Sequence, residues 1–191
     1  MFITVGGIPG SGKTTITNEI VRIGTSLGLP ITRVKGSDIM CKIAGVKNVD
    51  QLRSLPEDVR SKIRPKMFEY MYEEDKSDPT TNRVRDMHYS FPDGSGGYVA
   101  LAPQRGDTDQ LLMMVLLNPS PEVLLDRRVS DQVIRDDRNR NLPIIYEELE
   151  FEKRTAVSNA EIIGVPLFIC ENNTSPDQTA TLILKDVISL R

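Results

Sequence analysis

Gly7-Ile8-Pro9-Gly10-Ser11-Gly12-Lys13-Thr14 decides how the rest of this chain is read. Glycine, four residues, then Gly-Lys-Thr is a spacing with a mechanical reason. Glycines let the backbone wrap closely around anionic oxygens and turn several N–H groups inward. The helix that follows offers its positive dipole end to the same anion. In this reading Gly7, Ile8, Pro9, Gly10, Ser11 and Gly12 cradle the phosphates of ATP or a close relative. Lys13 bridges the β- and γ-phosphates, and the Thr14 hydroxyl sits on Mg²⁺. Thr15 is placed either to touch a phosphate or to finish the first helical turn. The flanks agree: Phe2 to Val5 reads as a short apolar strand, and Lys13 to Leu27 as a helix stopped at Gly28.

Outward from the loop, short β-like runs alternate with helical stretches, which predicts an α/β fold with a mostly parallel sheet. Ile31 to Lys35 reads as a second strand, and Ser37 to Lys76 as helices only. Ser54-Leu55-Pro56-Glu57 has the form of a capping box with a proline in the first turn. Leu111 to Leu117 is uniformly apolar, the pattern of a strand buried on both faces. A helix is expected from Ser120-Pro121-Glu122 to about Val133, another over Pro143 to Ile163, a strand over Pro166 to Cys170, and a final helix capped by Ser175-Pro176-Asp177-Gln178. Asn82 to Met87 has strand length, but Arg83 and Arg85 make it more polar than a central strand usually is. Asp93 to Gly97 reads as a turn.

The bulk numbers narrow the class. A chain of 191 residues with 39% hydrophobic and 27% charged residues fits one soluble domain with a real core. No apolar run approaches the ~18 residues a bilayer span needs, and the N-terminus has no signal-peptide pattern. A cytoplasmic protein without a membrane partner is expected. Net charge of −3 and the absence of Trp argue against a nucleic-acid surface. Cys41 and Cys170 are far apart, flanked by apolar residues, and expected to be buried thiols.

Five arginines, Arg127, Arg128, Arg135, Arg138 and Arg140, are interspersed with Asp131, Asp136 and Asp137. One reading is a solvated helix face stitched by i,i+4 pairs. The other is a lid. Arg138-Asn139-Arg140-Asn141-Leu142-Pro143 continues a helix poorly, and phosphoryl transfer needs positive charge that closes over the moving group and excludes water.

With these parts in place the chain resembles adenylate kinases of the archaeal type over nearly its whole length. The phosphate loop is shared with many proteins. Gly36-Ser37-Asp38-Ile39-Met40 is similar to the family's G-D-F-M segment. Asp50-Gln51-Leu52-Arg53-Ser54-Leu55 is similar to its D-E-M-R-K-L, whose arginine binds the acceptor phosphate. Asp86-Met87-His88 looks like D-T-H, Leu125-Asp126-Arg127-Arg128 with Arg138-Asn139-Arg140-Asn141 like the lid including its R-N-R-N, and Phe151-Glu152-Lys153-Arg154 like F-x-x-R. Three departures touch the acceptor side, one of them a lid about two residues longer than the family's. The family's strand before D-T-H is apolar, and the family has an arginine a few residues after that histidine. Here Tyr89-Ser90-Phe91-Pro92-Asp93 has none, which leaves Arg85 or Arg105 as substitutes.

The resemblance implies a three-layer P-loop NTPase fold in one domain over 1–191, with a helical insert at about 36–77 and an Arg-rich lid at about 127–143. It implies a nucleoside monophosphate kinase, with ATP and AMP as partners, Mg²⁺ as cofactor, and a homotrimer. Lys13, Arg127, Arg138 and Arg140 are the expected catalytic groups. Asp38, Arg53, Asp86, His88 and Arg154 are expected on the acceptor side. Asp86 either holds Mg²⁺ through water or forms a turn, and His88 either positions or packs. Asp38 either orients the acceptor helix or opens an ordinary helix, and Arg154 either meets the transferring group or lies on a solvated face. Two other classes remain open: a small-molecule kinase with a non-nucleotide acceptor, and a regulatory P-loop NTPase. For the latter Asp93-x-x-Gly96 is a weak match, and no guanine-reading N-K-x-D is present.

Overall fold

In the computed structural model, which describes residues 1–93, 96–103, 110–131 and 139–190, five parallel strands lie in the order β2-β3-β1-β6-β7. They are β1 (Phe2–Gly6), β2 (Ile31–Lys35), β3 (Asn82–Asp86), β6 (Leu111–Leu117) and β7 (Leu167–Cys170). The helices are α1 (Lys13–Ser26), α2 (Gly36–Ala44), α3 (Val49–Ser54), α4 (Glu57–Ser77), α5 (Pro121–Ser130), α6 (Leu142–Ile163) and α7 (Pro176–Ser189).

The apolar run of β6 has six of its seven residues buried, as a strand covered on both faces requires. On one face Ile3, Val5, Val115 and Leu117 pack with Ile16 and Ile20 of α1 and Ile183 and Leu184 of α7. On the other, Phe2, Met114 and Leu116 meet Ala156 and Ala160 of α6. The result is three layers. Both cysteines are buried and free. No helix among the described residues is long and apolar enough to cross a membrane.

The strand whose polarity argued against a central place lies between β2 and β1, paired parallel to both. Its arginines are buried because they arrive with partners. Asp75 of α4 binds Arg85 and lies 3.4 Å from Arg83 Nε. Arg83 also donates to the Asp78 carbonyl at 2.9 Å. The Arg85 guanidinium lies 3.5 Å from the centroid of the Phe2 ring. A buried charge is tolerated when it is paired and hydrogen-bonded.

Four expectations change; one is that Ser175 holds the N-cap position of α7 without a side-chain cap hydrogen bond. Ser54 does not cap α4: Pro56 holds the N-cap position, Ser54 Oγ donates back to Gln51 O, and the Glu57 carboxylate binds Arg60 and Arg64. The capping oxygen serves α3 instead, where Asn48 accepts from Gln51 N. Helix α5 is assigned only to Ser130, and Val133 lies outside the described residues. A two-stranded hairpin not foreseen, β4 (Ser90–Pro92) against β5 (Tyr98–Ala100), flanks the expected turn, with Gly97 N donating to Asp93 Oδ1 at 2.9 Å.

Candidate active site

The phosphate loop joins the C-terminal end of β1 to α1, the position where open parallel sheets bind ligands. Gly7 has φ +145°, and a Cβ there would come within 2.7 Å of Ser11 Oγ and 2.8 Å of Leu117 O. Gly12, the residue before α1, has φ +96° and would press a Cβ to 2.8 Å from Asn172 Nδ2. Both positions therefore demand glycine. Lys13 is buried and donates from Nζ to Gly7 O at 2.5 Å and Ile8 O at 3.1 Å, which places its ammonium across the loop. Thr15 is exposed on the first turn of α1.

The outer wall of the loop is tied down by residues from α5 and from the segment after β7. Arg127 donates to Ser11 O at 3.3 Å and Asn172 O at 2.7 Å. Asn172 Nδ2 donates to Ser11 O at 2.6 Å. Arg128 is 1% exposed. It donates to Pro9 O from Nε and Nη2, to Asn139 O at 2.6 Å, and to Glu148 Oε2 at 2.7 Å. Burial raises the Glu148 pKa, and the Arg128 charge and hydrogen bond oppose that rise. Sequence reasoning placed Arg128 in a lid, but the structure makes it a strut between loop, α5 and α6.

Thr14 Oγ1 donates to Asp86 Oδ2 at 3.0 Å, and the same carboxylate oxygen is 2.8 Å from Arg33 Nη2. A hydroxyl and a carboxylate side by side are hard oxygen donors of the kind Mg²⁺ takes while keeping waters and phosphate oxygens as its other ligands. The pair fits the ion. Arg33 shares the carboxylate and was not singled out in the sequence.

Across from the loop is a cleft of about 640 Å³, lined by Arg53, His88, Phe91, Tyr98, Asn139 and other residues. A second lobe of about 210 Å³ is more apolar, with Met40, Leu52, Met67 and Phe68 in its wall. Arg53 and His88 line both lobes. His88 sits beside the backbone of Gly7. The protein packed around its ring pushes the imidazole well below its ordinary pKa, and the Lys13 and Arg53 charges push the same way. The side chain is exposed to the open cleft, so solvent moderates the burial effect while the two cations remain close.

The segment carrying His88 is held from below by Glu152 of α6, whose buried carboxylate accepts from Tyr89 N at 2.9 Å and from Ser90 Oγ. Burial raises the pKa of Glu152, and those hydrogen bonds counter it. The resemblance pointed to Arg154 two residues on. Arg154 is instead exposed, donating to Glu150 O and lining neither lobe. Asp38 is also exposed in the first turn of α2, 3.4 Å from Lys35. Arg140 is exposed just before α6, and Arg138 lies outside the described residues.

A parallel sheet with a phosphate-gripping loop at the C-terminal end of its central strand and an arginine-bearing cleft facing it defines a P-loop phosphotransferase. A family model described as an AAA domain matches residues 6–142. The adenylate kinase of Methanothermobacter thermautotrophicus is 26% identical over 190 residues, covering 97% of this chain and 98% of the relative. That of Pyrobaculum aerophilum is 30% identical over 160 residues, 81% of this chain and 74% of the relative. The chain belongs to this P-loop family and, within it, to the adenylate kinases, which are nucleoside monophosphate kinases. Among solved structures, shikimate kinase from Aquifex aeolicus superposes with a TM-score of 0.62, covering 99% of this chain and 97% of that one. At 16% identity that likeness shows the fold alone.

Proposed function

We propose that the protein transfers the terminal phosphoryl group of Mg-ATP to a nucleoside monophosphate, AMP foremost, in the reversible reaction ATP + AMP ⇌ 2 ADP. One observation carries the reading: Pro9 of the phosphate loop, Arg53 and His88 line one cleft. The two substrates' phosphates then meet at one point.

An oxygen of the acceptor phosphate attacks the γ-phosphorus, and the bond from that phosphorus to the bridging oxygen breaks. ADP leaves with the electron pair. The attacking oxygen carries no proton at neutral pH, so no general base is needed, and the neutral His88 adds no charge to the path. Catalysis is positioning and charge neutralisation. The loop N–H groups and Lys13 hold the donor, and Arg53 holds the acceptor. Arg127 is held on carbonyls beside the loop, while Arg138 and Arg140 supply charge from the lid. Thr14 and Asp86 would hold Mg²⁺, which would supply charge neutralisation to the donor phosphates. The apolar lobe receives the base.

A coupled assay with ATP and AMP, GMP, CMP, UMP or a non-nucleotide alcohol tests this. The highest kcat/KM is expected with AMP, and turnover confined to the alcohol overturns the reading. The resemblance to archaeal-type adenylate kinases also implies a homotrimer. A monomer mass in sedimentation rejects the trimer.

A further inference from the structure

Resting on the reading of the cleft as an acceptor site, we propose that Arg60 and Arg64 of α4 grip the acceptor's phosphate together with Arg53, and that Glu57 occupies both guanidiniums until the acceptor displaces it. This would supply the charge that is missing after His88, where Tyr89 to Asp93 offers no arginine.

Arg60 and Arg64 are four residues apart, so one turn of α4 sets them on the same face. Both line both lobes, as Arg53 does. Glu57 spans the two: its Oε2 lies 2.9 Å from Arg60 Nη2 and its Oε1 2.5 Å from Arg64 Nη1. A Glu57–Arg60 pair alone would be an ordinary i,i+3 helix contact. Arg64, seven residues on, takes the other oxygen of the same carboxylate, so one acidic group bridges two cations with both oxygens, as a phosphate could. Among the described residues Arg60 Nε is buried without a hydrogen-bond partner, so its fork is not satisfied by Glu57 alone. The Arg64 guanidinium lies 3.8 Å from the centroid of the Phe91 ring, which fixes its plane at the cleft wall. A stacked, planar fork is suited to bidentate phosphate recognition.

Charge points to the same ligand. Of the acidic groups lining the lobes besides Glu57, Asp86 is paired with Arg33 and Glu148 with Arg128, while Asp93 is exposed and bonded to Gly97 N. Arg53 Nη1 lies 3.5 Å from Asp50, a carboxylate 85% exposed. Two guanidiniums sharing the single Glu57 carboxylate leave a positive surplus that a phosphate monoester dianion matches and a neutral alcohol does not.

The test compares AMP with adenosine, which lacks the phosphate, by titration calorimetry on the full chain, together with steady-state KM values. Arg60→Gln and Arg64→Gln should each raise Kd and KM for AMP by at least ~10-fold, the scale of a lost charge-assisted fork. ATP KM and adenosine affinity should stay within ~2-fold. Arg64→Lys should restore only part, because the stack and fork are lost. Glu57→Gln should tighten AMP binding several-fold, and inorganic phosphate should compete with AMP more strongly in that variant. Unchanged AMP binding in both glutamine variants, with folding intact by circular dichroism, overturns the proposal. So does equal weakening of AMP and adenosine. A wild type that phosphorylates AMP while both variants match it rejects these two arginines and leaves the proposed reaction standing. A wild type that uses no nucleoside monophosphate rejects the reaction itself.

Discussion

The Lys13 ammonium lies within hydrogen-bonding distance of two carbonyls of its own loop, with a short reach to where β- and γ-phosphate oxygens belong. It anchors no hydrophobic cluster, so Lys13→Ala should leave the fold intact while lowering turnover at saturating ATP by at least ~100-fold, the scale of losing a preorganised charge partner. Normal turnover with unchanged circular dichroism would refute the loop assignment. His88 gives a different signature. Its folded pKa lies below the ordinary value, so at acidic pH the unfolded chain binds a proton that the folded chain does not. Stability from this group is present above the ordinary pKa of about 6.5 and is lost as pH falls below it. Urea midpoints should therefore fall between neutral pH and pH ~5 more steeply for the wild type than for His88→Gln. Equal slopes would mean that solvent in the cleft cancels the effect of Lys13 and Arg53.

Among the elements, Arg128 binds the most parts together: Pro9 of the loop, Asn139 before α6, and Glu148 on α6. Arg128→Ala would leave the Glu148 carboxylate and the Pro9 carbonyl buried without that donor. A loss of about 3–5 kcal/mol in unfolding free energy is expected, as for a broken buried pair. Arg128→Ala with Glu148→Ala should recover part of it, and additive losses in chemical denaturation would show the two residues to be uncoupled. This strut marks where the sequence stops being readable. The loop, the apolar β6 and the long helices follow from local spacing and periodicity, so they were legible. Arg128 looked like one more lid arginine among five because its partners lie 119 and 20 residues away. The polar β3 looked unsuited to the middle of a sheet for the same reason: the compensating Asp75 is on α4. Glu152 gave no local signal at all, since it caps donors 63 and 62 residues distant. Local pattern shows which faces are apolar, but a buried charge declares its partner only when the chain is folded.

At the scale of the whole molecule, the five arginines of the cluster cannot share one role. Arg127 and Arg128 are bonded to the wall of the loop before any substrate arrives, so their contacts serve ground state and transition state alike. Arg127→Ala should therefore weaken ATP binding itself. Arg140 is exposed beyond Asn139, which lines the larger cleft and is held by Arg128. A guanidinium hydrated in this state adds little to ATP affinity. If it meets the transferring phosphoryl group only when the lid closes and water leaves, its contact is made mainly in the transition state. Interactions of that kind lower kcat when removed, while shared ones raise KM. Arg140→Ala should thus reduce kcat by at least ~100-fold, about 2.7 kcal/mol, and change directly measured ATP binding by less than ~10-fold. Arg138, outside the described residues, should behave like Arg140 if the R-N-R-N resemblance holds for both. Single-turnover kinetics beside equilibrium ATP titration separates the two patterns. Normal turnover in Arg140→Ala would make this part of the chain a solvated surface and leave Lys13, Arg127 and the acceptor arginines to carry the chemistry.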